Sequence, residues 1–116
     1  MRSDKNALSD YLRSLYDVKT LPLEEEEELS ARIQKGDDLA LEKLVKHNLR
    51  FVVAVIKDTP AWHHGSVPMD DLLAMGNEAL LKAGKRWIPK NNARFATYAK
   101  NFIMKDVRRG IDNYGN

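Results

Sequence analysis

Between Leu41 and Ile56 the apolar residues Leu41, Leu44, Val45, Leu49, Val52, Val53 and Ile56 recur every three or four positions. That is the period of one face of a helix, not the alternation of a half-buried strand. A run of this length needs other amphipathic helices to cover it, so it constrains the fold more than any other stretch. The spacing predicts one long helix over residues 38–57, with Asp37 or Asp38 as its cap. Residues 51–56, Phe-Val-Val-Ala-Val-Ile, are apolar nearly all round and are expected to be the most buried part of the chain. A buried strand is the competing reading of 51–56, and the helical period upstream argues against it.

The flanking sequence supplies the partners. Leu8, Tyr11, Leu12 and Leu15 form a stripe on a helix over 5–16, which Ser3 or Asp4 can cap. Thr20-Leu21-Pro22 marks a second helix start, with Pro22 expected in the first turn. Glu24 to Glu28 crowd its N-terminal turns, where carboxylates meet the positive end of the helix dipole. They read as a solvated face, with Leu29 and Ile33 on the buried side and Gly36 ending the helix. Residues 58–67 read as a loop containing Pro60, Trp62, His63, His64 and Gly65. Pro68 opens a fourth helix, to about Trp87, with Met69, Leu72, Leu73, Leu80, Leu81 and Ala83 available for burial. After a turn over 88–93 comes a last helix, in which Ala99, Ile103 and Val107 can face the core. Tyr98, Asn101, Phe102, Lys105, Arg108 and Arg109 fall on another side. The expectation is an all-α fold, a single compact domain of about five helices.

Charge is segregated along the chain. Residues 1–78 carry 10 Lys/Arg and 15 Asp/Glu, whereas residues 79–109 carry nine Lys/Arg against Asp106 alone. A basic segment on an otherwise acidic chain is the electrostatic footprint of a polyanion site. The last helix interleaves rings with cations; rings stack on bases and cations hold phosphates.

Other classes find less support. There is no cysteine, which excludes disulfides and thiolate metal sites and suits a reducing cytoplasm. No apolar run approaches the ~20 residues of a membrane span, and the start lacks the apolar stretch of a signal peptide. His63-His64 is a poor metal pair, because adjacent loop residues rarely aim two imidazoles at one ion. Asp70, Asp71 and Glu78 are better explained by capping and solvation. No glycine-rich phosphate loop and no nucleophile motif is present, so no catalytic residue, metal or cofactor is expected.

Three stretches taken together carry a family signal. They are Asn48-Leu49-Arg50-Phe51-Val52-Val53, then Asp71 to Ala83, then Arg94-Phe95-Ala96-Thr97-Tyr98-Ala99. In this order and spacing they resemble the promoter-melting domain of bacterial RNA polymerase sigma factors of the primary class. Tyr11-Leu12-Arg13, the Glu-rich turn and Ala31 to Asp37 look like the segment that precedes that domain. Each motif is weak alone; their collinearity over nearly the whole chain carries the assignment.

The resemblance implies roles. The segment like Asp71 to Lys82 docks on the clamp helices of the polymerase's largest subunit, with Asn77 and Leu81 matching docking positions. Ala74 and Met75 depart from the family's Gln and Glu there. The helix like Arg94 to Arg109 opens the minus-ten element, and the position of Tyr98 stacks on a flipped base of the non-template strand. Arg94, Phe95 and Thr97 match positions that line this pocket or hold its strand. Asn101 and Phe102 replace two tryptophans of a melting wedge, which implies weaker melting. Lys105 replaces a Gln that reads the upstream base pair, and lysine favours guanine acceptors or phosphate. Arg108 and Arg109 are phosphate contacts. Leu12 and Arg13 match positions that touch the strand just downstream.

The implied organisation is one sigma-like domain: N-terminal helices over 1–47, docking helices over 48–87 and a melting helix over 88–113. The chain stops at Asn116, so it is either a fragment or a minimal factor without an upstream-element-reading domain; the second is the expectation, with a coactivator in that domain's place, as in a minimal bacteriophage late factor. The expected function is a non-enzymatic initiation factor that binds core polymerase and melts the minus-ten element. The alternatives are a sigma mimic that occupies the clamp helices and inhibits transcription, and a generic helical DNA-binding or scaffold protein.

Overall fold

The longest periodic run in the sequence folds as two helices rather than one. In the computed structural model, which describes residues 3–58 and 65–114, helix α3 spans Asp38–Lys46 and helix α4 spans Leu49–Asp58. The break is at Asn48. Its side-chain amide is buried and Nδ2 donates to the Leu44 carbonyl at 2.8 Å. That carbonyl would otherwise take the Asn48 backbone N–H, which bonds instead to Val45 O at 2.9 Å. An Asn side chain that competes for helix carbonyls in this way tightens the last turn and ends the helix. His47, beside it, donates from Nδ1 to the Lys19 carbonyl at 2.7 Å, which ties the break to the connector before the next helix in space.

The remaining helices are α1 (Ser3–Ser14), α2 (Leu23–Gln34), α5 (Met69–Arg86) and α6 (Phe95–Asn113), with a 3₁₀ turn over Leu15–Asp17. The described residues therefore form six helices where about five were expected, and none is in a strand. Pro22 is an N-cap with extended backbone rather than a first-turn residue, and Pro68 opens α5 as its N-cap. Asp37 caps α3, its Oδ1 accepting from Ala40 N at 3.1 Å. Arg32 Nε donates to the other carboxylate oxygen at 2.8 Å. The Ala40 backbone bond first, and the Arg32 bond after it, hold the Asp37 carboxyl below its ordinary range.

Helices α5 and α6 form an antiparallel pair. Phe95 lies near Gly84, Ile103 near Gly76 and Met75 against Gly110, so partners run in opposite directions along the two helices. The reversal between them is a turn at Lys90–Ala93 closed by a 3.0 Å bond, with Asn91 and Asn92 both at positive φ, a region that Asn tolerates better than most residues. Two α5 glycines let the other helices close in: a Cβ at Gly76 would sit 2.5 Å from Val52 Cγ1, and one at Gly84 2.8 Å from Leu41 Cδ1. Helix α5, with Leu72, Leu73, Gly76, Ala79, Leu80, Ala83 and Gly84 buried, is the central element.

This corrects the expectation for 51–56. Val52, Val55 and Ile56 are buried, but Phe51 and Val53 are only partly so and Ala54 is exposed. A helix has a far side even when its sequence is apolar, and Arg50, Ala54 and Lys57 are on the exposed side of α4. The expected core face of α6, Ala99, Ile103 and Val107, is buried throughout. Trp87 and Phe95 complete the core with ring centroids 5.3 Å apart.

Candidate nucleic-acid interface

The outward side of α6 carries the rings and cations that the sequence grouped. Tyr98 and Phe102, one turn apart, are half-buried and tilted against each other at 42° with centroids 5.2 Å apart. Both pack against the core and keep only part of their surface exposed. Arg86, at the end of α5, places its guanidinium 6.0 Å from the Phe102 ring. This is a cation–π contact that holds a positive charge beside the two rings. Beyond the rings, Lys105, Arg108 and Arg109 line an open hollow on the same helix together with Asn101, Met104, Asn113 and one acid, Asp112, with both arginines and Lys105 exposed. Asp106, the acid of this basic segment, is taken up by Lys82 of α5 at 3.3 Å. The arrangement offers flat apolar faces flanked by cations, which suits bases and phosphates of a single strand.

Two residues expected on this face lie elsewhere. Phe95 has no exposed surface, so its ring fills the core. Arg94 is half-buried, with Nε donating to Glu26 Oε1 at 3.0 Å and a terminal nitrogen donating to the Leu21 carbonyl. Thr97 is exposed one turn before Asn101.

The expected docking residues divide. Ala74 and Leu81 are exposed and seven apart, so they share a ridge of α5. Asn77 is partly buried; its Nδ2 donates to the Tyr11 hydroxyl at 3.4 Å, while its Oδ1 is buried without a partner. Met75 turns inward, its sulfur occupying the space a side chain at Gly110 would need. On α1, Leu12 packs on the core and Arg13 is exposed, 3.8 Å from Asp10. The α6 face and the α5 ridge are separate surfaces of one hairpin. The hairpin's open end is tied by Tyr114, whose hydrogen bond to Asp71 raises its pKa above the ordinary 10.0.

Sequence reasoning missed two residues near the face. Arg86 lay within the basic segment, but only the hairpin geometry puts it beside Phe102. Glu26 lay in the acidic run read as a solvated face. Glu24 and Glu28 are exposed and Glu25 pairs with Lys43 at 2.7 Å, but the Glu26 side chain is 2% exposed. Trp62, His63 and His64 lie outside the described residues, as do the side chains of Ser3, Asp4 and Asn6. Among the described residues no group of three or more His, Asp or Glu side chains converges as metal ligands, and no helix is long and apolar enough to cross a membrane.

No family model matches the chain. Among curated proteins it is similar to the RNA polymerase sigma factor RpoS of Coxiella burnetii (strain RSA 493 / Nine Mile phase I), at 34% identity over 103 residues. The match covers 89% of this chain and 28% of the length of that protein. The chain is thus a distant homologue of one segment of a sigma factor.

Proposed function

Because the chain is a distant homologue of an RNA polymerase sigma factor, we propose that it is a sigma-type transcription initiation factor. It binds core polymerase and recognises and melts the minus-ten promoter element in the bacterial cytoplasm. The chain itself performs no catalysis; phosphodiester synthesis belongs to the polymerase. The single observation that carries this reading is the partly exposed Tyr98–Phe102 ring pair, on a helix face that also carries Lys105, Arg108 and Arg109 and with Arg86 beside Phe102.

Tyr98 is the platform for a base flipped from the non-template strand. Flipping costs a few kcal/mol, and an aromatic stack returns ~1–3 kcal/mol, so one ring roughly offsets one base. Phe102, in contact with Tyr98, extends the platform, and the cations beyond it hold the strand's phosphates. Arg94 and Phe95 support the fold of this helix, so their presence is equally compatible with an inhibitor; the partly exposed ring pair is what argues for strand capture. Docking on the clamp helices falls to the Ala74–Leu81 ridge, with residues 48–87 as the docking segment, 88–113 as the melting segment and 1–47 as the segment that braces them.

The test is to mix the protein with core polymerase and a promoter library and to select sequences that give transcripts. Transcripts enriched for one minus-ten sequence support the proposal. Core binding without transcripts supports the inhibitor reading, and DNA binding without polymerase supports a generic binder.

A further inference from the structure

We propose that Glu26 is a positioning residue for the strand-capturing face, acting as a built-in anion that caps α6 from another helix and keeps phosphate away from its first turn. The inference rests on the reading of α6 as that face.

A helix begins with backbone N–H groups that lack partners, and its own N-cap residue normally supplies an acceptor. Here the N-cap is Arg94, which makes no side-chain cap. The acceptor comes from α2: Glu26 Oε1 takes the Phe95 N–H at 3.2 Å and Arg94 Nε at 3.0 Å. The residues lie 69 and 68 positions apart in the chain, and the Glu26 side chain is 2% exposed. Arg94 is held on a second side by the carbonyl of Leu21, just before the N-cap of the same helix. One carboxylate thus joins two helices at the point where α6 starts, one turn before Tyr98.

Two consequences follow. The rotation of the first turn, and with it the direction of the Tyr98 ring, is tied to α2 rather than left to a loop. A helix N-terminus beside an arginine is also a ready phosphate site. Glu26 fills that site, so a bound strand must run along Tyr98, Phe102, Lys105 and Arg109 instead of slipping one turn toward Arg94. The carboxylate therefore sets the register of the strand.

The test uses the full chain, alone and on core polymerase, with a labelled single-stranded oligonucleotide of the selected minus-ten sequence. In Glu26→Ala, amide hydrogen exchange at Phe95 should accelerate about tenfold, with α4 and α5 unchanged. Added formate should restore the protection by occupying the vacated acceptor position. Unchanged exchange at Phe95, or acceleration spread evenly over all helices with no response to formate, overturns the capping role. Glu26→Gln keeps an acceptor oxygen and the fold but removes the charge. Its Phe95 protection should stay within about threefold of the parent. Its oligonucleotide affinity should depend more steeply on salt, the log–log slope growing by about 0.7, because the charge of Arg94 is no longer neutralised by Glu26 and can draw in one phosphate. An unchanged slope overturns the phosphate-excluding role. If the parent protein captures no strand while Tyr98→Ala behaves identically, the strand-capture reading fails; the exchange result at Phe95 still decides the cap.

Discussion

Two aromatic residues three positions apart on α6 have opposite duties. Phe95 is wholly buried against Trp87, and Tyr98 is only partly buried. Removing the Phe95 side chain leaves a core cavity, so Phe95→Ala should lower stability by about 3–5 kcal/mol, measured by urea unfolding. Tyr98→Ala should cost clearly less stability than Phe95→Ala, because the ring is only partly buried against the core, yet weaken strand capture by the ~1–3 kcal/mol of one stack. Core binding should survive in Tyr98→Ala; its loss would make Tyr98 a structural residue. The same contrast applies to the cations. Arg94 is engaged by Glu26 and Leu21, while Arg108 and Arg109 are exposed.

At the scale of elements, the fold depends on how helices begin, end and approach one another. Asp37 starts α3 through the Ala40 N–H and holds Arg32 of α2, so one carboxylate fixes the α2–α3 corner. Its pKa in the folded state is depressed below the ordinary 3.8, so the stabilisation is fully present above that value and is lost as pH falls through the lower folded value. Asp37→Asn keeps a capping oxygen but removes the titration. Melting temperature followed from neutral pH to about pH 2 should therefore fall less steeply below pH 3.8 in the variant. Close approach matters equally: Val52 of α4 sits where a Gly76 side chain would be. Gly76→Ala should cost about 1–3 kcal/mol from overpacking, outweighing the ~1 kcal/mol that alanine gains in helix propensity. A melting temperature raised by this change would mean that α4 yields freely.

Across the whole molecule, α5 is the hub that separates two surfaces: the ring-and-cation face of α6 and the Ala74–Leu81 ridge. The Asn77–Tyr11 bond crosses from α5 to α1, so a loss of polymerase binding in Asn77→Ala has two explanations, direct contact or a loosened α1. Tyr11→Phe separates them, because it removes the bond and leaves Asn77 in place. Direct docking by Asn77 predicts core binding within about twofold of the parent in Tyr11→Phe and at least about tenfold weaker in Asn77→Ala, since only the latter leaves polymerase groups unpaired. Equal losses in both would assign Asn77 to the fold.

The sequence by itself determined the helical class, the core stripe of α6, the segregation of positive charge and the resemblance to sigma factors. These are properties of local spacing and collinear motifs, which one dimension preserves. Tertiary structure alone decided the rest. The period through 38–57 said which residues could share a face, but the break at Asn48 depends on a buried amide reaching back to Leu44. The acidic run read as solvent-facing because five carboxylates in a row usually are; Glu26 is buried because its partners lie 68 and 69 residues away. Phe95 and Tyr98 fall in one motif, and only the α5–α6 packing turns one ring inward and leaves the other partly exposed. Periodicity reports which side of a helix is apolar. It does not report what arrives on the other side, and at α6 that arrival fixes how the face is presented.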